Sequence, residues 1–272
     1  MPERFTSRTQ TVTAARNPFA ATHPCVRMLT TDLSDRVALV TGSANGVGRE
    51  FALSMAEAGA SVAVHYHTSD ADARATAAVA REESGAATTV QGDVTDPDEV
   101  DAMFDAVEAD LGTVDVLVNN VGDFAPRHWE ALSFETWNRV IDTNLTGTYL
   151  CSKRALPAMR DAGFGRIVNV GYAGTERALV YPKNFPYLVA KTGVIMFTRM
   201  LANDTKSNGI TVNCISPYVV ENSDEFPDEA PRGRWASFAD LRQVLFFFLD
   251  SDSGYVSGEN VEVDGGWIPE AL

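Results

Sequence analysis

Long apolar runs and cysteine are both scarce in this chain of 272 residues. No apolar stretch approaches the roughly 20 residues that a membrane-spanning helix needs, so the sequence predicts a soluble protein without a membrane partner. The three cysteines, Cys25, Cys151 and Cys214, are far apart and odd in number. They form neither a CxxC pair nor an even set, which argues against a metal site or a disulfide framework. We expect buried free thiols in a reducing compartment, the cytoplasm.

Positive charge is scarce as well. The chain has 37 Asp and Glu residues against 22 Lys and Arg, a net charge of −15, and only four of the 22 are lysines. Such an acidic surface repels phosphate groups, which excludes nucleic acid as a partner. The composition resembles that of proteins from salt-loving archaea, where molar salt screens self-repulsion to within about 3 Å. We therefore hypothesise a halophilic protein; greater stability in dilute buffer than in molar KCl would contradict this.

The first 33 residues differ in pattern from the rest of the chain. They contain four arginines and no clear period. They also lack the continuous apolar core of ~7–15 residues that a secretion signal needs. We predict a disordered or extraneous arm over residues 1–33, with Met28 as an alternative start. One domain is expected over residues 34–272, since neither a linker nor a repeat interrupts it.

Short apolar runs alternate with helical patterns from Arg36 onward. The predicted strands are Val37–Val40, Ser61–His65, Thr88–Gln91, Val114–Val118, Gly165–Val170, Thr211–Ile215 and Asn260–Val263. The predicted helices are Arg49–Ala58, Ala71–Glu83, Glu99–Leu111, Phe134–Met159, Tyr187–Asn203 and Phe238–Leu249. Strict β-α alternation with apolar strands predicts an α/β fold, a doubly wound parallel sheet of about seven strands with helices on both faces.

A glycine-rich segment joins the first strand to the first helix. It reads Thr41-Gly42-Ser43-Ala44-Asn45-Gly46-Val47-Gly48. Gly42 permits a tight turn, Gly46 lets the backbone approach a pyrophosphate, and Gly48 allows close helix–sheet packing. The helix N-terminus then presents unpaired N–H groups to the anion. The sequence therefore predicts a dinucleotide site, to which we also assign Thr41, Asn45 and Val47.

The end of the second strand bears on which dinucleotide is bound. An acidic side chain there would accept the ribose 2′-hydroxyl of NAD and repel a 2′-phosphate. Tyr66 occupies that place, followed by His67, Thr68 and Ser69, which can donate to a phosphate. NADP(H) is therefore favoured over NAD(H). The alternative is that His65 and His67 are simple strand-end residues.

The spacing Gly-x-x-x-Gly-x-Gly resembles that of the short-chain dehydrogenase/reductase family. Five more matches follow in order, which are Asp93-Val94, Asn119-Asn120-Val121-Gly122, Asn144, the pair Tyr187 and Lys191, and Val263-Asp264-Gly265-Gly266. The resemblance covers residues 36–267 and implies a Rossmann-like fold. It also implies a homotetramer or homodimer packed through the helices that hold Asn144 and Tyr187. Further cofactor contacts are implied at Asp93, Val94, Asn120, Gly122 and Pro217.

Tyr187 and Lys191 are four residues apart and share one face of a helix. A free phenol has a pKa near ~10, and a neighbouring ammonium lowers it by favouring the phenolate. We therefore predict that Tyr187 acts as an acid/base with a lowered pKa. The resemblance implies that Lys191 also binds the nicotinamide ribose and that Asn144 supports a proton-relay water.

Two departures from the family pattern lie near this pair. The family has a serine 13 residues before the tyrosine, but that position is Gly174, and no serine occurs between Lys153 and Ser207. Aligning the fifth strand puts Tyr172 in the serine position. Three possibilities follow. Either Tyr172 or Thr175 supplies a hydroxyl to the substrate, or Tyr172 is structural and Tyr187 alone holds the carbonyl.

The second departure is Ser216-Pro217-Tyr218, which replaces the Pro-Gly of the family after the sixth strand. The segment from there to Trp235 is short and acidic, in a region where the family forms its substrate lid. Five aromatic residues are candidates for the lining of a pocket, with a place in the core as the alternative: Phe124, Tyr172, Phe185, Tyr218 and Trp267.

We predict an NADP(H)-dependent enzyme that reduces a small-molecule carbonyl substrate, in the manner of the 3-oxoacyl thioester reductases that the chain resembles. A pteridine-reductase-like enzyme is an alternative, because His65-Tyr66-His67-x-Ser69 resembles that subgroup, and so is a sugar or polyol dehydrogenase. A catalytically idle dinucleotide sensor is the non-enzymatic alternative. The missing serine favours the sensor, whereas Tyr187, Lys191 and Asn144 oppose it.

Overall fold

Seven short apolar segments pair in parallel in a computed structural model of the protein, which describes residues 31–177, 183–223 and 226–267. The strands are β1 Val37–Val40, β2 Ser61–Tyr66, β3 Ala87–Gln91, β4 Val116–Asn119, β5 Gly165–Val170, β6 Ile210–Pro217 and β7 Asn260–Val263. The α-helices are α1 Gly46–Glu57, α2 Asp70–Ser84, α3 Pro97–Asp110, α4 Phe134–Ile141, α5 Gly147–Ala162, α6 Phe185–Thr205 and α7 Phe238–Leu249.

The sheet order is β3-β2-β1-β4-β5-β6-β7. The chain winds outward from β1 to β3, returns to the centre, and winds outward again from β4 to β7. The strand order therefore reverses between β1 and β4, the position at which open α/β sheets bind ligands beyond the carboxyl ends of their strands. The predicted doubly wound parallel sheet is confirmed.

Helices cover both faces of the sheet because side chains of each strand alternate between two apolar clusters. Ala38 and Val40 of β1 belong to one cluster, with residues of α1, α2 and α7. Val37 and Leu39 belong to the other, with residues of α3, α5 and α6. Burial on both faces explains why the strands read as continuous apolar runs rather than as an alternating pattern.

The predicted long helix Phe134–Met159 is wrong as one continuous element. A π-helical turn over Asp142–Thr146 separates α4 from α5. Within it, Thr143 Oγ1 donates to Arg139 O (2.8 Å) and Asn144 Nδ2 donates to Val140 O (2.9 Å). These bonds engage carbonyl groups of the preceding turn, where regular helix bonding is interrupted. The π turn is the local structure that presents Asn144.

The packed chain begins before the predicted domain boundary at residue 34. Leu33 is buried in the core, and its N–H donates to Ala58 O (2.8 Å). Thr31 Oγ1 donates to Phe246 O (3.1 Å). The rest of the predicted arm lies outside the described residues.

Cys151 and Cys214 are buried free thiols, as expected, whereas Cys25 lies outside the described residues. In the part of the chain that the structure describes, no helix is long and apolar enough to cross a bilayer.

Candidate active site

The predicted site residues gather at one edge of the sheet, beyond the carboxyl ends of the parallel strands. The glycine-rich loop follows β1, the segment from His67 to Ser69 follows β2, and Asp93 follows β3. Asn120 and Gly122 follow β4, Tyr172 follows β5, and Pro217 ends β6. Their convergence is a consequence of parallel pairing, because every strand ends at the same edge.

Two glycines of the loop after β1 are required by its geometry. Gly42 has φ +63°, in the left-handed region that favours glycine. A Cβ on Gly48 would collide with Gly42 O and lie 2.5 Å from Asn120 Nδ2. Gly48 therefore lets α1 pack directly against the loop and against the segment after β4. The loop assumes the close-packed form that backbone contact with a pyrophosphate requires.

Thr41 and Asn120 fasten this loop to the segment after β4. Thr41 Oγ1 accepts from Asn120 N (2.9 Å) and Val121 N (3.1 Å). Asn120 Nδ2 donates to Thr41 O (3.0 Å) and Gly42 O (3.2 Å). Asn45 is exposed at the N-cap position of α1, and its side chain makes no cap bond to the helix. Val47 is partly buried against the core.

His65 supports the glycine-rich loop, a role that the sequence analysis did not assign to it. Its Nδ1 accepts from Gly42 N (2.9 Å), and its Nε2 lies 2.9 Å from Gly92 O. Burial lowers the pKa of His65 to about 4, so the ring is neutral at pH 7. The residue joins the glycine-rich loop to the segment after β3 and is more than a simple strand-end residue.

The residues expected to favour a 2′-phosphate differ in their surroundings. His67 and Thr68 are exposed, and Ser69 is at the N-cap position of α2 without a side-chain cap bond. The Tyr66 hydroxyl donates to Asp70 Oδ1 (2.8 Å), which corrects the expectation that it is available to a phosphate. The same carboxylate binds Arg74 Nε (2.8 Å).

Asp93 and Val94 lie where an adenine contact is expected. Asp93 Oδ1 accepts from Thr95 N (2.9 Å) and Thr95 Oγ1 (2.8 Å), which fixes the turn after β3. These bonds, opposed by partial burial, hold the pKa of Asp93 below its usual range. Val94 is buried against Gly147 at the start of α5. Pro217 O accepts from Ala173 N (3.0 Å) and joins β6 to the loop after β5.

Three residues meet on the β4 side of the point at which the strand order reverses, namely Lys191, Asn144 and Gly122. A Cβ on Gly122 would overlap Asn144 Oδ1 and lie 3.3 Å from Lys191 Nζ. Asn144 Nδ2 donates to Asp123 O and Val140 O (both 2.9 Å), whereas its buried Oδ1 has no partner among the described residues. Lys191 Nζ donates to Val170 O (2.7 Å) and lies 5.5 Å from the Tyr187 ring centroid.

The prediction that Lys191 lowers the pKa of Tyr187 is wrong for this structure. Burial raises the pKa of the Tyr187 phenol above its ordinary value of 10.0. Burial also lowers the pKa of Lys191 to about 8, a shift that the nearby Cys214 opposes. Desolvation therefore exceeds the attraction between the two groups. Sequence spacing places the pair on one helix face but does not reveal how buried it is.

Three aromatic rings connect Tyr187 with the segment after β7. Tyr172 packs against Tyr187 with ring centroids 5.5 Å apart, and Tyr218 lies 6.3 Å from Tyr172. Tyr218 stacks on Trp267 at 3.9 Å. On the other side of Tyr187, the half-exposed Phe124 makes an edge contact at 5.2 Å. None of these rings is fully buried.

The other candidates for the missing serine and for the pocket differ in position. The Thr175 hydroxyl donates to Tyr172 O (2.8 Å) and is used within its own turn. Phe185 stacks on Trp129 with centroids 6.3 Å apart, at the start of α6. Of these residues, Tyr172 is the one whose ring packs against Tyr187.

An ionic cluster from β7 anchors the loop that carries Tyr172. Arg177 pairs with Glu262 and with Asp264 (3.3 Å), and it donates to Trp267 O (2.5 Å). Glu262 Oε1 also accepts from Gly174 N (2.6 Å). These partners are some 85 residues apart in sequence, so no local pattern predicts them. Among the described residues, no group of three His, Cys, Asp or Glu side chains is placed to hold a metal ion.

Comparisons with known proteins agree with this geometry. A family profile described as enoyl-(acyl carrier protein) reductase matches residues 42–268. The chain is 34% identical over 239 residues to the 3-oxoacyl-[acyl-carrier-protein] reductase FabG of Staphylococcus aureus (strain N315), which covers 84% of the chain and 96% of that relative. It is 31% identical to a short-chain type dehydrogenase/reductase of Picea abies, over 87% of the chain and 93% of the relative.

A solved structure gives a similar result. The gluconate 5-dehydrogenase from Burkholderia cenocepacia J2315, in complex with NADP and tartrate, superimposes with a TM-score of 0.80 at 30% sequence identity. The match covers 88% of this chain and 97% of that protein.

Proposed function

The chain belongs to the short-chain dehydrogenase/reductase family of oxidoreductases, and we propose that it transfers hydride between NADP(H) and a carbonyl or alcohol substrate. Tyr187 is the acid/base of this reaction. The observation that carries the proposal is the meeting of Tyr187, Lys191 and Asn144 beside a glycine-rich loop of dinucleotide-binding form. An idle sensor has no need of that trio.

The residues after β1 and β4 fit a dinucleotide. A Cβ on Gly48 would collide with Gly42 O, and one on Gly122 would collide with Asn144 Oδ1, so these glycines let the segments around the site pack closely together. The N-terminus of α1 offers N–H groups to the pyrophosphate. NADPH, when bound, supplies the hydride. Thr41 to Gly48, Asn120 and Gly122 would hold it, Asp93 and Val94 would border the adenine, and Lys191 would bind the nicotinamide ribose.

Tyr187 delivers a proton to the substrate oxygen during reduction. Its raised pKa keeps the phenol protonated at neutral pH, which suits a proton donor. Lys191, cationic below about pH 8, stabilises the phenolate that remains. Asn144 Oδ1, which has no partner among the described residues, accepts a hydrogen bond from a relay water that returns a proton from solvent.

Tyr172 supplies the second hydrogen bond to the substrate carbonyl. Its ring contact with Tyr187 supports this role, and the bond that Thr175 makes to Tyr172 O argues against Thr175. The aromatic residues Phe124, Tyr172, Tyr218 and Trp267 favour a substrate with an apolar group beside its carbonyl. A 3-oxoacyl thioester has this character, whereas a polyol does not.

The preference for NADPH is supported by the absence of an acidic residue at the end of β2. The donors are His67, Thr68 and Ser69 together with the N-terminus of α2. Because Asp70 engages Tyr66, we leave Tyr66 out of the phosphate contacts. The Burkholderia structure carries NADP, which agrees with this preference.

The test is the initial rate of NADPH consumption with an acetoacetyl thioester in molar KCl. The parent protein is compared with Tyr187→Phe, and NADPH with NADH at matched concentrations. We expect turnover with NADPH, a lower rate with NADH, and a loss of at least about 10²-fold in the variant. NADPH binding without turnover of any ketone, pterin or polyol would instead support a sensor.

We also propose a homo-oligomer packed through α5 and α6. Three apolar side chains of α6 are exposed at helical spacing, namely Val189, Met196 and Met200, and Tyr149 of α5 is exposed beside them. A second copy of the chain would cover this face, as the helix pairing of the family implies. Light scattering in molar KCl should give a dimer or tetramer, and Met196→Glu should shift the mass toward the monomer.

A further inference from the structure

His65 is a buried histidine that no step of the proposed reaction uses. It lies at the end of β2, and both of its ring nitrogens have partners. Nδ1 accepts from the Gly42 N–H at 2.9 Å. A ring that accepts at Nδ1 in its neutral form carries its proton on Nε2, which fits the Gly92 carbonyl 2.9 Å away.

Only one of the bonds between His65 and the loop depends on the side chain. Ser43 N donates to His65 O (2.9 Å), and His65 N donates to Ser43 Oγ (3.0 Å). Any residue except proline at position 65 can make these two bonds through its backbone. The bond from Gly42 N to Nδ1 requires a side-chain acceptor at that point.

This bond matters because of the conformation of Gly42. Its φ of +63° turns the chain sharply out of β1, toward the first residues of α1. Without an acceptor the Gly42 N–H would be left unpaired in a closely packed turn, which is unfavourable. The loop would relieve that cost by turning, and its other N–H groups would then lose their alignment.

We infer that His65 is a positioning residue for the dinucleotide, holding the loop in its binding form as a neutral hydrogen-bond acceptor for Gly42. The inference rests on the cofactor binding proposed above. It deepens that proposal by assigning a role to a residue that contacts the loop rather than the nucleotide.

The groups around the ring favour its neutral form. Burial disfavours the charged form of the ring most strongly, and His67, just after β2, adds to this effect, whereas the bond to Gly92 O and the carboxylate of Asp93 oppose it. A protonated ring would place an N–H against the Gly42 N–H, so one of the two bonds of the ring would break. In the unfolded chain the His65 ring takes up a proton near pH 6.5, whereas in the folded chain the ring stays neutral down to about pH 4. Unfolding therefore takes up a proton in that window, and stability falls as the pH falls.

The first experiment measures the dissociation constant of NADPH at pH 7.5 by fluorescence titration. In His65→Asn, the Oδ1 atom can take the place of Nδ1 and accept from Gly42, and the bond to Gly92 is lost. His65→Leu has no acceptor. We expect the Asn variant to bind within about threefold of the parent and the Leu variant about tenfold or more weakly. His128→Asn, at an exposed histidine, is the matched control and should bind like the parent.

A folded Leu variant with parental affinity, or an Asn variant as weak as the Leu variant, would overturn the inference. A parent that binds neither NADPH nor NADH would contradict the proposed function itself. The second experiment compares urea unfolding of the parent and His65→Asn from pH 7 to 4.5. The midpoint should fall more steeply with decreasing pH in the parent, and equal slopes would overturn the neutral-acceptor role, even if the Leu variant does not fold.

Discussion

Tyr172 and Thr175 are two hydroxyl residues near the position at which the family resemblance predicts a serine. The ring of Tyr172 packs against Tyr187, whereas Thr175 Oγ1 is bonded within its own turn. We expect Tyr172→Phe to lower kcat for ketone reduction by about 10²-fold, since loss of one hydrogen-bond donor to a developing oxyanion has that size. Steady-state kinetics with the acetoacetyl thioester check this, with Thr175→Val as the matched control at near-parental rate. Unchanged kinetics in Tyr172→Phe would remove Tyr172 from the mechanism.

The lowered pKa of Lys191 predicts that the rate of reduction depends on pH. Burial lowers its pKa to about 8, so Nζ is cationic below that pH and neutral above it. Since kcat/KM reports groups of the free enzyme, kcat/KM for reduction should be constant from pH 6 to 7.5 and fall above about pH 8. A guanidinium stays charged throughout, so Lys191→Arg should show no such fall, whatever rate it retains. A parent profile that is flat to pH 9.5 would contradict the assignment.

The sequence predicts individual site residues but not their surroundings. Tyr187, Lys191, Asn144 and Thr41 could be named because their spacing matches a known pattern. The direction in which the pKa of Tyr187 shifts could not be predicted from the sequence. It depends on the burial of the phenol, to which the packing of Phe124 and Tyr172 around Tyr187 contributes. His65 was named in the sequence without a supporting role, although it is a polar side chain at the last buried position of a largely apolar strand.

The loop after β5 shows how one element depends on another that is distant in sequence. Arg177 bonds to Glu262, Asp264 and Trp267 O, and Gly174 N bonds to the same Glu262. These contacts hold the loop against β7 and so fix the backbone of Tyr172 relative to Tyr187.

Arg177→Gln should therefore weaken substrate binding more than it lowers the folding stability. We expect KM for the thioester to rise about tenfold, with NADPH affinity unchanged and a stability loss of about 1 kcal/mol, because the Arg177 side chain is partly exposed. Kinetics, NADPH titration and urea unfolding check the three values. Arg160→Gln is the control, since it breaks an exposed pair with Asp204 (2.5 Å) far along α5. Equal KM values for the two variants would contradict the anchoring role.

The order and type of the elements followed from sequence because helical and strand periods alternate cleanly. The first and last residues of the elements were less predictable. Helix α1 begins at Gly46 rather than Arg49, since the glycine-rich loop enters the helix directly. The π turn at Asp142–Thr146 is a local change in backbone hydrogen bonding, which a hydrophobic period does not record.

The charge of the whole molecule gives the last prediction. With a net charge of −15, the folded chain repels itself, and salt relieves this because the screening length falls from about 10 Å at 0.1 M to about 3 Å at 1 M. The melting temperature should therefore rise between 0.1 and 1 M KCl. Glu82 and Glu83 are exposed in the last turn of α2, where the helix dipole adds to the repulsion.

Glu82→Gln/Glu83→Gln should raise the melting temperature in 0.1 M KCl, and the gain should shrink in 1 M KCl as screening removes the repulsion. Asp72→Asn is the matched control, because Asp72 is exposed in the first turn of the same helix, where a carboxylate is favourable. Its gain from lower net charge is offset by the lost dipole interaction, so it should stabilise less than the double variant. Thermal melts of the three proteins at both salt concentrations separate the two effects. A parent that melts at a higher temperature in dilute buffer than in molar KCl would contradict a protein adapted to salt, because self-repulsion would then not be what limits its stability.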